Sequence, residues 1–172
     1  MNKYNIVLIG FMGSGKTTIG KRLSLHYKKE FIDTDDFIEK KEGMKISEIF
    51  QKYGEEYFRE KEEELCERFS IKKSKIISTG GGIIKNTKNM DNLKEGGIIF
   101  YLQTTAEKVI ENLKNDNTRP LLQGDNKYEK VKALLEERTP LYEKYADHTI
   151  NVCDSSLEYT VSLIESIIDD FK

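Results

Sequence analysis

Cysteine and histidine are scarce in this chain of 172 residues, which holds only two of each. Cys66 and Cys153 lie far apart and form no C-x-x-C pair, so the sequence indicates neither a disulfide framework nor a thiol redox motif. His26 and His148 have no neighbours at the spacing of metal ligands, which argues against a zinc site. We therefore expect two reduced, packed thiols in a cytoplasmic protein.

Long apolar runs and a strong excess of one charge are also missing. No run approaches the ~20 residues of a membrane-spanning helix, and we expect neither membrane association nor a signal peptide. The formal net charge of −2 gives no reason to expect nucleic-acid binding. The length and the 37% apolar content predict one globular domain over residues 1–172, which we expect to act as a monomer.

Arginine is the rare cation, because only five of the 28 basic residues are arginine. The planar guanidinium binds carboxylate or phosphate with two parallel hydrogen bonds, which an ammonium group does not do. Arg22 and Arg68 lie in amphipathic helical stretches, where we expect them to be solvated. Arg59, Arg119 and Arg138 lie beside turn or loop signals and are candidates for binding an anion.

The segment Gly10–Thr17 (GFMGSGKT) matches the P-loop pattern G-x-x-x-x-G-K-[ST] at every fixed position. An apolar run of strand type precedes it, and apolar residues at helical spacing follow it. In that context backbone N–H groups and the helix N-terminus bind phosphate. Lys16 then reaches the β- and γ-phosphates, and the Thr17 hydroxyl is a ligand for Mg²⁺. The alternative, a glycine turn without a ligand, explains the flanking strand and helix less well.

Short apolar strands alternate with helical patterns along the whole chain. This order predicts an α/β protein with a parallel sheet covered by helices on both faces. We expect helix caps at Asp36, Ser47, Thr104 and Ser155, and helix breaks at Gly54 and Pro140. The predicted strands are Tyr4–Ile9, a segment ending near Asp33, Lys75–Thr79, Ile98–Leu102 and His148–Val152.

Three groups of polar or glycine residues follow strands and should meet at the carboxyl edge of the sheet. One is the P-loop. The second is Asp33 and Asp35, which would point to the same side of an extended segment. One carboxylate suits Mg²⁺ and the other an acceptor hydroxyl, although helix capping is the simpler explanation of the cluster. The third is Gly80–Gly82, a bare turn where a ligand could approach backbone N–H groups.

The candidate arginines complete a predicted kinase site. Glu62, three residues after Arg59, could hold its guanidinium, although taken alone that spacing is better explained by an ordinary surface ion pair. Arg119 lies in the polar loop Asn115–Asn126, which we interpret as a lid that brings positive charge to the transferred phosphoryl group. Arg138 suggests that the acceptor carries an anion such as a carboxylate. Together these features predict a small-molecule kinase.

At this point the sequence resembles shikimate kinase, within the nucleoside-monophosphate-kinase-like P-loop group. The resemblance runs from Asn5 to about Ile168 and depends on an ordered set of motifs: GFMGSGKTT, DTD, GEEYFREKE, STGGG, TRPLL and ERTPLYEKYA. It implies a single-domain, three-layer P-loop kinase fold with a five-stranded parallel sheet in the order 2-3-1-4-5. It also implies a substrate-binding helical region at about 35–61 and a lid at about 114–125.

The resemblance further implies a role for each matching residue. Asp35 would meet the shikimate hydroxyls and serve as the base, while Arg59 and Arg138 grip the carboxylate. The acceptor site would be lined by the backbone of Gly80, Gly81 and Gly82. Arg119 would contact ATP and, with Lys16, stabilise the phosphoryl group in transfer to give 3-phosphoshikimate. Mg²⁺ would be held by Thr17 and, through water, by Asp33, and ATP would be bound by Gly13, Ser14, Gly15, Lys16, Thr17 and Thr18.

Some family members place arginines against adenine where this chain has Asn112 or Lys114, and Ser155 with Leu157, so adenine contacts are not carried over.

A gluconate-type sugar-acid kinase shares the P-loop and an acidic acceptor. A nucleoside monophosphate kinase typically has more arginines in the lid. A GTP switch usually carries N-K-x-D, and the nearest string here is NKYE from Asn126. A catalytically dead binding module would lack Lys16 or Asp35.

The predicted role of Asp35 has a direct test. Asp35→Asn keeps the shape of the side chain but removes the base, so we expect turnover to fall at least ~10²-fold while ATP binding stays nearly intact. Steady-state kinetics and nucleotide titration measure the two effects. Turnover close to that of the wild type would exclude Asp35 from the mechanism.

Overall fold

A parallel sheet of five strands lies at the centre of the computed structural model, which describes residues 4–115 and 124–171. The strand order is β2-β3-β1-β4-β5, and every neighbouring pair is parallel. Both the order and the direction confirm the prediction. The strands are β1 (Asn5–Ile9), β2 (Glu30–Asp33), β3 (Lys75–Ser78), β4 (Gly97–Gln103) and β5 (His148–Asn151).

Helices connect the strands and cover both faces of the sheet. Within the described residues they are α1 (Lys16–Tyr27), α2 (Thr34–Glu42), α3 (Ile46–Ile71), α4 (Thr87–Gly96), α5 (Ala106–Leu113), α6 (Lys127–Tyr145) and α7 (Leu157–Asp169). A short 3₁₀ helix, Ile83–Lys85, follows β3. None of these helices has the length and apolar composition required to cross a membrane.

The central strand β1 shows how the layers are built, because all five of its residues are buried. Alternate side chains of a strand point to opposite faces of the sheet. Ile6 and Leu8 accordingly pack in one apolar cluster with residues of α1 and α7. Val7 and Ile9 pack in a second cluster with residues of α3, α4 and α6. The β1 sequence is therefore apolar from Ile6 to Ile9 because both faces of the strand are covered.

Asn5 is the polar exception in β1, and its side chain ties the end of α3 to the start of β3. The side chain is fully buried. Its amide nitrogen donates to the carbonyls of Phe69 at 2.9 Å and Lys72 at 3.2 Å, and its oxygen accepts from the Lys75 backbone N–H at 3.0 Å. Three backbone groups at the α3–β3 connection thus depend on one amide.

The predicted cap at Asp36 is wrong, because α2 begins earlier. Asp33 is the N-cap residue, and its Oδ1 accepts from the backbone N–H groups of Asp35 at 3.1 Å and Asp36 at 3.4 Å. The chain leaves β2 and enters the helix without an intervening loop. Asp35 therefore lies in the first turn of α2 rather than in an extended segment with Asp33.

Three other predicted caps are also displaced. The helix α3 begins one residue before Ser47, so Ser47 lies inside its first turn. The caps of α5 and α7 are Thr105 and Ser156, each one residue after the predicted Thr104 and Ser155. An N-cap residue has an extended backbone conformation just before the helix begins. The path of the chain in the folded protein decides which of two adjacent hydroxyl residues takes that conformation.

Of the two predicted helix breaks, Gly54 is confirmed and Pro140 is wrong. Gly54 interrupts α3 with φ 86° and ψ 167°, a conformation open to glycine. Pro140 lies inside α6, which continues to Tyr145. The proline removes one helical hydrogen bond, but Leu135 and Tyr142 are buried on either side of it and hold both halves of the helix against the protein.

The role of Asn5 predicts a large loss of stability on truncation. Asn5→Ala leaves three backbone groups without this partner, one in a buried and two in partly buried hydrogen bonds, and we expect the free energy of unfolding to fall by about 3 kcal/mol. Urea denaturation measures the change. The control Gln51→Ala removes an exposed amide from α3 and should change stability by less than about 0.5 kcal/mol. Equal effects of the two substitutions would contradict the role assigned to Asn5.

Candidate active site

The P-loop joins β1 to α1, and backbone conformation as well as side chains shapes it. Gly13 and Gly15 have φ values of 74° and 90°, which L side chains rarely adopt. Gly15 is also the N-cap of α1, so the helix N-terminus opens directly onto the loop. Lys16 Nζ donates to the carbonyls of Gly10 at 2.7 Å and Phe11 at 2.8 Å. These bonds hold the ammonium group at the loop, where phosphates are expected.

Thr17 and Asp33 lie together beside the loop. Thr17 Oγ1 donates to Asp33 Oδ2 at 3.0 Å, while Asp33 Oδ1 caps α2. One carboxylate therefore starts a helix with one oxygen and faces the P-loop with the other. A hydroxyl and a carboxylate are the hard oxygen ligands that suit Mg²⁺, which usually keeps several waters. The donor set fits the predicted ion.

A cavity of about 340 Å³ joins the P-loop to part of the predicted acceptor site, but Arg59, Gly82 and Arg138 are not among its lining residues. Asp35 lines it, and so do Asp33, Gly80 and Gly81. Of the predicted nucleotide-binding residues, Gly13, Gly15, Lys16, Thr17 and Thr18 line it too. Ser14 is different, because its side chain is almost fully buried and its Oγ lies 3.5 Å from Lys16 Nζ. Ser14 thus supports the loop lysine from behind.

The turn Gly80–Gly82 lies against the three side chains predicted to meet the acceptor. A Cβ built on Gly80 would lie 2.6 Å from Asp35 Oδ1, closer than real Cβ contacts. One on Gly81 would lie 3.4 Å from Arg138 Nη1, and one on Gly82 would lie 3.1 Å from Arg59 Nη2. None of the three glycines has a positive φ. The requirement is therefore for space beside three functional groups.

The prediction that the backbone N–H groups of this turn are available to a ligand is wrong at Gly80. Its N–H donates to Thr34 Oγ1 at 2.9 Å, and Thr34 is fully buried at the start of α2. The bond joins the turn after β3 to the helix that carries Asp35. Sequence reasoning missed Thr34, although its place between Asp33 and Asp35 was a signal.

Arg59 is held in the ion pair that its spacing with Glu62 suggested, and Glu62 is nearly fully buried. Glu62 Oε2 accepts from Arg59 Nη1 at 2.6 Å, and Glu55 Oε1 accepts from Nη2 at 2.9 Å on the exposed side. Burial raises the pKa of Glu62 to about 7, against the opposing effect of Arg59. Burial lowers the pKa of Arg59, but the two carboxylates outweigh it and raise the pKa overall.

Arg138 approaches the turn from α6, on the other side. Its guanidinium lies 5.5 Å from the centre of the Phe11 ring, a distance at which cation and π-face attract. Its Nε is buried and has no hydrogen-bond partner among the described residues. Arg119 and most of the predicted lid lie outside the described residues.

Asn112, near the end of α5, is a contact that sequence reasoning did not predict. Its amide nitrogen donates to the Gly13 carbonyl at 2.9 Å. The neighbouring Leu113 fills the space beside Gly13, where a Cβ would lie 3.0 Å from its Cγ. The helix that leads towards the lid is therefore attached to the phosphate-binding loop.

The raised pKa of Glu62 predicts a pH-dependent stability. The carboxyl has a pKa of about 7 in the folded protein against an ordinary value of 4.5. The folded state thus binds this proton more tightly, so the stability contributed by this group is lost as pH rises from about 4.5 through 7. We expect the wild type to lose about 2–3 kcal/mol relative to Glu62→Gln between pH 5 and pH 8.

Urea denaturation at pH 5, 6, 7 and 8 measures this difference. The control is Glu55→Gln, which removes the more exposed carboxylate from the same guanidinium. Its difference from the wild type should change little with pH, because solvent screens that pair. Parallel stability profiles for Glu62→Gln and the wild type would contradict the interpretation.

Comparison with known proteins agrees with this geometry. The sequence model of the family "Shikimate kinase" matches residues 12–169. A shikimate kinase of Thermodesulfovibrio yellowstonii is 49% identical over 168 residues, which cover 98% of this chain and 95% of that protein. A shikimate kinase of Vibrio parahaemolyticus is 40% identical, with 98% of each chain covered. The similarity thus spans nearly the full length of both relatives.

Solved structures give the same result. The shikimate kinase of Acinetobacter baumannii in complex with shikimate matches with a TM-score of 0.91 and 37% identity, over 99% of this chain and 96% of that one. The shikimate kinase of Aquifex aeolicus gives 0.83 and 36%, with 96% of each chain covered. A gluconokinase of Sinorhizobium meliloti gives 0.57 and 16% over 98% and 97%, which shows the fold alone. The chain has the P-loop kinase fold and belongs to the shikimate kinase family.

Proposed function

We propose that this protein transfers the γ-phosphoryl group of ATP to the 3-hydroxyl of shikimate, giving ADP and 3-phosphoshikimate for aromatic amino acid synthesis. The observation that carries the proposal is the turn Gly80–Gly82, whose residues face Asp35, Arg138 and Arg59 in turn. The turn borders the same cavity as Lys16 and Thr17. A carboxylate, a pair of arginines and a phosphate-binding loop thus surround one reaction space.

On the phosphate side, the P-loop backbone and the N-terminus of α1 hold the nucleotide phosphates. Lys16, which is held at the loop by its two carbonyl partners, would meet the β- and γ-phosphate oxygens. Thr17 and, through water, Asp33 would hold Mg²⁺. Mg²⁺ in this position would neutralise charge on the phosphates. From the sequence pattern we assign Arg119 to the same task on the transferred group, carried there by the lid at about 114–125.

On the acceptor side, Arg59 and Arg138 bind the shikimate carboxylate. Arg59 is already oriented by Glu62 and Glu55, so little conformational entropy is lost when the substrate binds. The unpartnered Nε of Arg138 is a buried donor that an anion can satisfy. The helical region at about 35–61 would supply Asp35 and Arg59 together, because both belong to the α2–α3 segment after β2.

The chemical step follows from this placement. The 3-hydroxyl oxygen forms a bond to the γ-phosphorus, the bond from that phosphorus to the β,γ-bridging oxygen breaks, and the hydroxyl proton passes to Asp35. Asp35 lies at the N-terminus of α2, beside the cavity, with its backbone N–H bound to Asp33 Oδ1. The same carboxylate orients the hydroxyl for in-line attack, which is the larger part of phosphoryl-transfer catalysis.

A coupled ADP-release assay with ATP and Mg²⁺ tests the proposal. Shikimate, gluconate and nucleoside monophosphates are offered in turn to the purified protein. We expect turnover with shikimate and little above background with the others. Turnover with gluconate in preference to shikimate would replace the proposal with a sugar-acid kinase, and ATP consumption without any acceptor would argue for a hydrolase.

The role of Arg138 gives a quantitative prediction. A charge-assisted contact contributes about 1.5–3 kcal/mol, so Arg138→Ala should raise the KM for shikimate about 10- to 100-fold. The KM for ATP should stay within about twofold, since Arg138 lies on the acceptor side of the cavity. Steady-state kinetics with each substrate varied in turn measures both constants.

Arg22→Ala is the matched control for this experiment. Arg22 is an exposed residue of α1, so its removal changes the net charge in the same way without touching the turn. We expect its KM for shikimate to equal that of the wild type. An unchanged KM in Arg138→Ala would show that Arg138 does not contact the substrate.

A further inference from the structure

A buried tyrosine hydroxyl lies behind the acceptor side of the cavity. The Tyr142 hydroxyl donates to the Gly81 carbonyl at 2.7 Å, and the side chain is fully buried in α6. Gly81 is the middle residue of the turn that lies against Asp35, Arg59 and Arg138. The single donor of this hydroxyl is therefore committed to the backbone of the acceptor site.

The Arg138 guanidinium lies near the same hydroxyl, close enough to act on its pKa. Both groups converge on Gly81, where a built Cβ would lie 3.4 Å from Arg138 Nη1 and 3.7 Å from the Tyr142 hydroxyl oxygen. A tyrosine oxygen donates one hydrogen bond and accepts others. It donates to the Gly81 carbonyl and keeps lone pairs that could accept from a nearby guanidinium, which would orient the arginine relative to the turn.

The position of the hydroxyl is set by the centre of the sheet. The Tyr142 ring stacks on Tyr101 of β4, with ring centres 4.9 Å apart and an angle of 19° between the planes. Tyr101 is also buried, and the Thr139 hydroxyl lies within hydrogen-bonding reach of its own hydroxyl. The Tyr101 ring on strand β4 therefore restrains the Tyr142 ring on α6. Arg138 is four residues before Tyr142, so the two side chains share one face of α6.

Burial raises the pKa of the Tyr142 hydroxyl above its ordinary value, although Arg138 acts in the opposite direction. The hydroxyl therefore remains protonated across the range in which a cytoplasmic enzyme works. Its hydrogen bond to Gly81 is present throughout, and it has no part in proton transfer. This behaviour fits a residue that orients other groups.

We infer that Tyr142 is a positioning residue for the acceptor carboxylate: its hydroxyl holds the Arg138 guanidinium against the Gly81 backbone in the orientation that meets the anion. The inference rests on the proposed function, because it assigns the anion to shikimate. Tyr142 acts through Arg138 and does not touch the reacting atoms. Its contribution is expected in acceptor binding and in discrimination for the carboxylate.

Tyr142→Phe tests the inference, because it removes the hydroxyl and keeps the ring and its stacking. A hydrogen bond to a charged group is worth enough that we expect the KM for shikimate to rise about tenfold, with kcat within about threefold and the Kd of ATP unchanged. The ratio of kcat/KM for shikimate to that for its neutral carboxamide should fall by a similar factor, since the carboxylate is no longer met by an oriented arginine.

Tyr101→Phe is the matched control. It removes the hydroxyl from the other buried ring of the stack. We expect a loss of thermal stability comparable to that of Tyr142→Phe, with the KM for shikimate and the carboxylate discrimination unchanged. In an Arg138→Ala background, Tyr142→Phe should add less than about twofold to the KM, because the group it orients is gone.

The outcomes separate the inference from the proposed function. Normal shikimate turnover by the wild type, with unchanged KM and discrimination in Tyr142→Phe, overturns the inference alone. Equal changes in both Tyr→Phe variants assign Tyr142 a purely structural role and also overturn it. A wild type that does not phosphorylate shikimate overturns the proposed function, and the inference with it.

Discussion

Close approach at the end of β3 is the constraint on which the site depends. The Gly80–Gly82 turn brings the backbone so near to the Asp35 carboxylate that a side chain on Gly80 would displace it, and a side chain on Gly82 would press on the Arg59 guanidinium. At Gly81 the Arg138 guanidinium would be in ordinary contact with an added side chain. The carboxylate from α2 and the two guanidinium groups from α3 and α6 therefore lie around a few backbone atoms of the turn. Because β3 lies between β1 and β2 in the sheet, the turn also lies beside the P-loop.

The residues that build this edge of the fold are largely those to which the proposed function assigns the chemistry. Asp33 begins α2 with one carboxylate oxygen and faces Thr17 with the other. Thr34, next in the chain, binds the N–H of Gly80 and so sets the distance between Asp35 and the turn. Lys16 is buried against loop carbonyls. Local folding and the positions of catalytic groups are therefore determined by the same contacts.

The two arginines are held by different means. Arg59 is clamped by carboxylates, and the buried one, Glu62, is costly to ionise in the free protein. An incoming substrate carboxylate would compete with Glu62 for the same guanidinium. The ion pair therefore orients the arginine but also partly neutralises the charge that the substrate would bind. Arg138 instead lies over the Phe11 ring and beside the Tyr142 hydroxyl, with a buried nitrogen left for a ligand. Under the proposed function, such a pair would meet the acceptor carboxylate from two sides.

Sequence patterns predicted the fold class, the family resemblance predicted the sheet order, and together they predicted most of the residues that line the cavity. They did so because the P-loop, the apolar strands and the Gly-rich turn are local patterns with narrow physical meanings. Only the tertiary structure decided where helices begin, at Asp33 rather than Asp36 and at Thr105 rather than Thr104, since the cap depends on the direction in which the chain leaves a strand. It also decided the continuity of α6 through Pro140 and the roles of Thr34, Asn112 and Tyr142, because these depend on contacts between residues far apart in the chain or buried together.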